Sequence, residues 1–273
     1  MNNYLPLIIN AALNAGSEIL NVYRSEISVE WKADLSPLTE ADRRAHSIIE
    51  TALLTTGIPV LSEEGEAIAF SDRNDWERFW MVDPLDGTRQ FISRSGDFTV
   101  NIALIEGGRP VLGVIYAPLR GTLYYGSEGT GSFKLEGIRP GMPLDWPVIT
   151  GSARQLPFRN GRRSYSIVAG QYFSGPETEA FIELKRKQYG KVETTSVGSS
   201  LKICLVAEGS ADVYPRLAPT MEWDTAAGHA IAKFAGCRVY DHATNAELSY
   251  NKENLRNPWF IVERPDFAAA VAS

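Results

Sequence analysis

The segment Phe79-Trp80-Met81-Val82-Asp83-Pro84-Leu85-Asp86-Gly87-Thr88 carries the densest chemistry in the chain. An apolar run leads into two carboxylates three residues apart, with Gly-Thr directly behind them. Pro84 fixes its own φ and removes a backbone donor, so a turn here can aim the Asp83 and Asp86 carboxylates and the Leu85 carbonyl at one point. Hard oxygen ligands of this kind suit Mg²⁺. The same residues also read as a strand-to-helix turn in which both acids cap backbone N–H groups. Two further acids occupy comparable places. Val60-Leu61-Ser62-Glu63-Glu64 ends an apolar run in acid, and Glu222-Trp223-Asp224-Thr225-Ala226-Ala227-Gly228 puts Asp224 where a helix begins. Alone, Glu63 is a loop charge and Asp224 an ordinary N-cap. Together, these acids lie beside apolar sequence, where an unpaired charge is costly and a divalent cation offsets that cost.

Elements that could position these acids follow from periodicity. Leu5, Ile8, Ile9, Ala12, Leu13, Gly16, Ile19, Leu20 and Tyr23 recur at three- and four-residue steps, predicting an amphipathic opening helix. Thr39-Glu40-Ala41-Asp42 fits a capping box, and Ala45, Ile48, Ile49, Ala52 and Leu53 continue the helix it starts. Strands are predicted at 59–61, 79–82, 99–105, 111–116 and 122–125. The Gly-, Pro- and Arg-rich stretch 136–163 reads as a long loop or junction, dividing the chain into halves of 1–150 and 151–273. Beyond it, strands at 165–169, 212–214 and 238–240 alternate with helices at 177–187, 201–207 and 224–235, which suggests helices packed on a sheet.

Several separated motifs in this order give the chain a family resemblance. Ser36-Pro37-Leu38-Thr39-Glu40-Ala41-Asp42, Val60 to Glu64, Asp83 to Ile92, Phe98 to Leu104, Ser196-Val197-Gly198-Ser199-Ser200-Leu201-Lys202 and Trp223 to His229 resemble the lithium-sensitive, magnesium-dependent phosphomonoesterases typified by inositol monophosphatase. Within that family they are most similar to the 3'(2'),5'-bisphosphate nucleotidase branch. The resemblance implies an α+β, layered αβαβα sugar-phosphatase fold. It also implies that the N-terminal half carries most metal ligands and the C-terminal half completes the site.

Carried over residue by residue, the resemblance makes Glu63, Asp83 and the Leu85 carbonyl ligands of one magnesium, and Asp83, Asp86 and Asp224 ligands of a second. Thr88, paired with Asp42, would orient the attacking water near Glu63, where a third, weaker magnesium can join. Asp42 also fits the structural role of closing the Thr39 capping box. Gly87, Thr88 and Arg89 would offer backbone N–H groups to the phosphate. Ser199, Ser200, Lys202 and Arg216 would meet a second phosphate, with Asp224 also reaching the substrate. The implied reaction is removal of the 3'-phosphate from adenosine 3',5'-bisphosphate, with its sulfated analogue as a further substrate. An inositol- or sugar-monophosphatase with the same metal site is the alternative enzyme, and a catalytically silent magnesium and nucleotide sensor the alternative outside catalysis. The resemblance also implies a homodimer and, in some bacterial relatives, peripheral association with the inner membrane. One departure concerns Val168-Ala169-Gly170-Gln171-Tyr172-Phe173, which replaces a Ser-Arg-Ser-His-like turn; Tyr172 or Phe173 would then supply a stacking surface for a base.

Composition narrows the remaining classes. Lys and Arg number 27 against 33 Asp and Glu, for a net charge of −6 over 273 residues, a balance that disfavours broad nucleic-acid binding. No apolar run reaches the length of a membrane span and the first basic residue is Arg24, so a cytoplasmic location is expected. Cys204 and Cys237 lack a C-x-x-C spacing and are expected to be buried hydrophobes. His46, His229 and His242 are scattered, with no zinc, P-loop or nucleophile-elbow pattern. Arg154, Arg159, Arg162 and Arg163 read as a solvated loop, with a basic rim for anions as the other possibility.

Overall fold

A computed structural model describes residues 4–32, 35–139, 144–158, 164–170 and 175–265. The chain opens with α1 (Leu5–Tyr23), followed by a short antiparallel ribbon of β1 (Val29–Trp31) and β2 (Pro37–Thr39), and then α2 (Glu40–Leu54). Next come β3 (Val60–Ser62), α3 (Phe70–Arg73), β4 (Arg78–Asp86), α4 (Thr88–Ile92), β5 (Thr99–Glu106) and β6 (Arg109–Ala117). The first part of the chain closes with β7 (Thr122–Ser127), β8 (Gly131–Leu135), α5 (Trp146–Ser152) and β9 (Arg154–Gln155), so that its sheet takes in residues beyond position 150. Its seven strands form one sheet in sequence order, β3-β4-β5-β6-β7-β8-β9, antiparallel except where β3 runs parallel to β4.

The second half contains β10 (Tyr165–Ala169), α6 (Pro176–Tyr189), β11 (Val192–Ser196), α7 (Leu201–Glu208) and β12 (Val213–Arg216). It ends with α8 (Glu222–Phe234), β13 (Arg238–Asp241) and β14 (Phe260–Glu263), and its five strands order as β11-β10-β12-β14-β13.

Alternation along β4 shows how the layers stack. Trp80 and Val82 pack with Ile8, Ile19 and Ile49 of α1 and α2 on one face of the larger sheet. Phe79 and Met81 point to the other face, where Cys204 and Val206 of α7 and Ala227 and Ile231 of α8 fill the space up to Tyr214 and Phe260 of the smaller sheet. Buried between two sheets, α8 is apolar around most of its circumference, as such a position requires. On the outer face of the smaller sheet, Ile182 of α6 packs with Tyr165, Ile167 and Ile261. The result is the αβαβα layering that the family resemblance implied. Cys204 and Cys237 are both buried, and among the described residues no helix is long and apolar enough to cross a membrane.

Two sequence expectations need correction. The stretch 136–163 is not simply a loop: among its described residues α5 forms a helix, and β9 pairs with β8 as the edge strand of the larger sheet. Pro147 sits in the first turn of α5, where its missing N–H has no partner to lose, so the Pro content concealed a helix start. Asp83-Pro84-Leu85-Asp86 is likewise not a turn after β4 but part of it. Asp83 pairs with Asn101 and Asp86 with Thr99, leaving two residues of β4 opposite one of β5. This β-bulge accommodates Pro84 and redirects the strand between the two acids.

Candidate active site

Four acids from three elements meet at the ends of the larger sheet and α8. Glu63 follows β3, Asp83 and Asp86 flank the bulge of β4, and Asp224 lies in the first turn of α8, where its Oδ2 accepts the Met221 N–H at 2.9 Å. One carboxylate oxygen each from Glu63, Asp83 and Asp224 lie within 4.8 Å of one another. Asp83 is buried; its Oδ1 accepts the Leu85 N–H at 3.1 Å, while its Oδ2 is buried with no hydrogen-bond partner among the described residues. An orphaned carboxylate oxygen facing two further carboxylates fits a divalent cation.

Electrostatics express the same crowding. Burial, reinforced by the charges of Glu63, Asp86 and Asp224, drives Asp83 well above the ordinary carboxylate range. Asp224 is driven well up too, by burial and then by Asp86 and Glu63. Burial pushes Glu63 up to about 7 against the opposing charge of Lys32. Asp86 is raised less freely, since Lys202 and the Ser200 N–H work against its burial. Without a cation, this cluster is held together at the expense of ionisation.

Asp42 makes both contacts that its sequence position allowed. Its Oδ2 accepts from Thr39 N at 2.7 Å and Thr39 Oγ1 at 2.6 Å, completing the capping box of α2. Its Oδ1 accepts from Thr88 Oγ1 at 3.3 Å, and the same hydroxyl lies 3.3 Å from the Leu85 carbonyl. Burial pushes the Asp42 carboxyl up to about 6, with the Thr39 hydrogen bonds opposing. Gly87 joins β4 to α4 at φ 92°, a left-handed conformation that suits glycine. The Arg89 side chain is exposed on α4.

A cleft extends from this cluster between the two halves. Asp86, Gly87, Ser199, Ser200, Lys202, Arg216 and Asp224 all line it. Ser200 N donates to Asp86 Oδ2 at 2.5 Å, so the loop before α7 is tied directly to the acid cluster. Lys202 is buried, donates from Nζ to Ser199 O at 2.6 Å and lies over the Tyr214 ring at 5.6 Å. Burial pulls its ammonium down to about 8, Asp86 opposing and Arg216 adding to the fall. Arg216 donates to Pro219 O at 2.9 Å.

Several neighbours were not evident from sequence. Lys32 donates to Glu63 Oε1 at 3.0 Å and Glu64 Oε1 at 2.5 Å. Its own burial favours the neutral form, yet the two carboxylates hold its pKa above the usual lysine range. Asn101 Oδ1 accepts from Ser200 Oγ at 2.9 Å, and Thr99 Oγ1 lies 2.8 Å from that hydroxyl. Both sit in the Phe98 to Leu104 motif, where polar residues interrupting a buried strand were the available signal. Elsewhere, His229 packs against Tyr250 OH at 3.0 Å and is no ligand in the cluster, and Arg154 stacks on the Phe158 ring at 4.0 Å. Tyr172, Phe173, Arg159, Arg162 and Arg163 lie outside the described residues.

Known proteins resemble this chain in architecture and in sequence. The sequence profile of the inositol monophosphatase family matches residues 2–270. The 3'(2'),5'-bisphosphate nucleotidase CysQ of Salmonella typhimurium is 44% identical over 263 residues, covering 94% of this chain and 98% of that protein. The crystal structure of CysQ from Bacteroides thetaiotaomicron is similar at a TM-score of 0.87 with 50% identity, over 94% of this chain and 96% of that one. The extragenic suppressor protein suhB from Bartonella henselae has a TM-score of 0.72 at 25% identity, over 97% of this chain and 95% of that one.

Proposed function

The chain belongs to the inositol monophosphatase family, and from that premise we propose that it is a magnesium-dependent phosphomonoesterase releasing the 3'-phosphate of adenosine 3',5'-bisphosphate as inorganic phosphate, leaving AMP. The observation that carries this reading is the orphaned Asp83 Oδ2 among the Glu63 and Asp224 carboxylates, beside a cleft that also holds the buried cation Lys202. Glu63, Asp83 and the Leu85 carbonyl would hold one magnesium, and Asp83, Asp86 and Asp224 a second. Bound there, magnesium supplies Lewis-acid polarisation of the phosphoryl group and acidifies water for attack.

The chain's own groups do the rest. Thr88 Oγ1, fixed by Asp42 Oδ1 and the Leu85 carbonyl, orients the attacking water, and Asp42, with its carboxyl at about 6, takes up a proton near neutral pH through that hydroxyl. Water attacks phosphorus as one of its protons passes through Thr88 to Asp42; the P–O bond to the ribose breaks, the 3'-oxygen takes a proton from solvent water, and Asp42 returns its proton to solvent. The backbone at Gly87, Thr88 and Arg89 cradles the departing phosphate. Lys202, Arg216, Ser199 and Ser200 receive the second phosphate, the Lys202 ammonium supplying a charge that a monophosphate leaves unused.

A phosphate-release panel with and without magnesium tests this reading, comparing adenosine 3',5'-bisphosphate, its sulfated analogue, inositol 1-phosphate and fructose 1,6-bisphosphate. The adenine bisphosphate is expected to give the highest kcat/KM. Preference for the inositol ester would overturn the substrate reading, and magnesium-independent release would overturn the mechanism.

A further inference from the structure

Asp97 belongs to no group that marked the site, yet it touches both sides of the cleft. Its side chain is buried; Oδ2 accepts the Gly198 N–H at 2.9 Å, and Oδ1 accepts from the Arg120 guanidinium. A Cβ added to Gly198 would fall 2.7 Å from Asp97 Cβ, and one added to Gly87 would fall 2.9 Å from the Asp97 carbonyl oxygen. Two loops that come no closer to each other in sequence than 110 residues therefore rest on one residue. The first, at Gly87, directly follows Asp86. The second leads from Gly198 into Ser199, whose carbonyl holds Lys202 Nζ, and Ser200, whose N–H holds Asp86 Oδ2.

We propose that Asp97, braced by Arg120, is a positioning residue that sets the spacing between the cleavage site at Asp83 to Thr88 and the second-phosphate subsite at Ser199 to Lys202. It thereby contributes to the preference for two phosphates over one. A bisphosphate must satisfy both loops at once, so a change in their separation weakens its fit; a monophosphate meets the second loop only through the Ser200 N–H held on Asp86, and is affected less. The bond from Gly198 N to the Asp97 carboxylate is charge-assisted, and the Arg120 guanidinium on the other oxygen fixes that carboxylate in direction. Gly198 is suited to the contact because a side chain there would collide with Asp97 and Gln90. This inference rests on the bisphosphate reading above.

The test compares wild type, Asp97→Ala, Arg120→Gln and Arg120→Lys on adenosine 3',5'-bisphosphate and adenosine 3'-monophosphate at saturating magnesium, with a circular-dichroism melt for each. Asp97→Ala is expected to raise KM for the bisphosphate about tenfold, equivalent to losing one charge-assisted hydrogen bond, while kcat/KM for the monophosphate stays within about threefold. Arg120→Gln should move KM the same way by less, and Arg120→Lys should restore it. If Asp97→Ala does not fold, Arg120→Gln decides the matter, because Arg120 is 46% exposed and its replacement leaves the Asp97 to Gly198 bond available. Equal losses on both substrates, or an unchanged KM for the bisphosphate, would overturn the inference. A wild-type enzyme without preference for the bisphosphate would instead overturn the functional reading, an outcome visible before any variant is measured.

Discussion

Asp42 Oδ1 lies 3.3 Å from Thr88 Oγ1, tying the first turn of α2 to the first turn of α4. The opposite oxygen of the same carboxylate closes the cap of α2 through Thr39. One acid thus caps α2 with one oxygen and accepts from Thr88 with the other. Thr88→Ala separates the two roles, because it leaves the cap intact. Its kcat is expected to fall by about 10²–10⁴, the range for a lost proton-transfer group, with little change in melting temperature. Wild-type kcat in this variant would remove Thr88 from the mechanism.

Asp83→Asn should abolish turnover, since loss of several kcal/mol of electrostatic stabilisation corresponds to about 10³-fold or more in rate. The same substitution removes a buried acid whose ionisation is opposed by burial and by the charges of Glu63, Asp86 and Asp224. Metal-free Asp83→Asn is therefore expected to melt at or above the wild-type temperature, and added magnesium should no longer raise it. A variant that melts lower without metal and still responds to magnesium would contradict this account.

The raised carboxylates set the pH dependence of the metal-free protein. Folded Glu63 titrates at about 7 against an ordinary value of 4.5, so between these values the folded chain binds more protons than the unfolded one. Stability from such a group is fully present below the unfolded value and is lost as pH rises through the folded one. Asp83 and Asp224 shift in the same direction. Thermal melts in chelator should fall from pH 4.5 toward pH 7, while the increase produced by magnesium grows, since the cation binds the deprotonated ligands. A metal-free melting temperature that climbs across this window would be inconsistent with the buried acid cluster.

Lys202 predicts a limb on the alkaline side. With its ammonium pulled down to about 8, kcat/KM for a bisphosphate should decline above that pH as the free enzyme loses the charge. Lys202→Ala should mainly raise KM for bisphosphates and flatten that limb, and parallel losses on monophosphates would deny Lys202 its role at the second phosphate.

What was legible in the sequence follows from the range of the interactions. Thr39 and Asp42 are three residues apart, so their cap was readable, and acids ending apolar runs at Glu63 and Asp83 stood out against their surroundings. The five-layer order came from motif resemblance, because periodicity does not say which face of β4 meets which helix. Lys32 and Asp97 escaped notice because their partners lie 31 and 101 residues away, and neither carries a local signature. The edge strand β11 is largely exposed and lacks apolar alternation, so the pattern that reveals buried strands is missing there. Pro84 suggested a turn by its local preference, whereas pairing with β5 absorbed it into a bulge.

The central claim is that Glu63, Asp83, Asp86 and Asp224 act only with a divalent cation between them. Phosphate release from adenosine 3',5'-bisphosphate by chelator-treated protein, measured before and after magnesium is restored, addresses it most directly. The treated protein should be inactive and recover its rate on magnesium addition, whereas undiminished release in chelator would show that these carboxylates work without a metal.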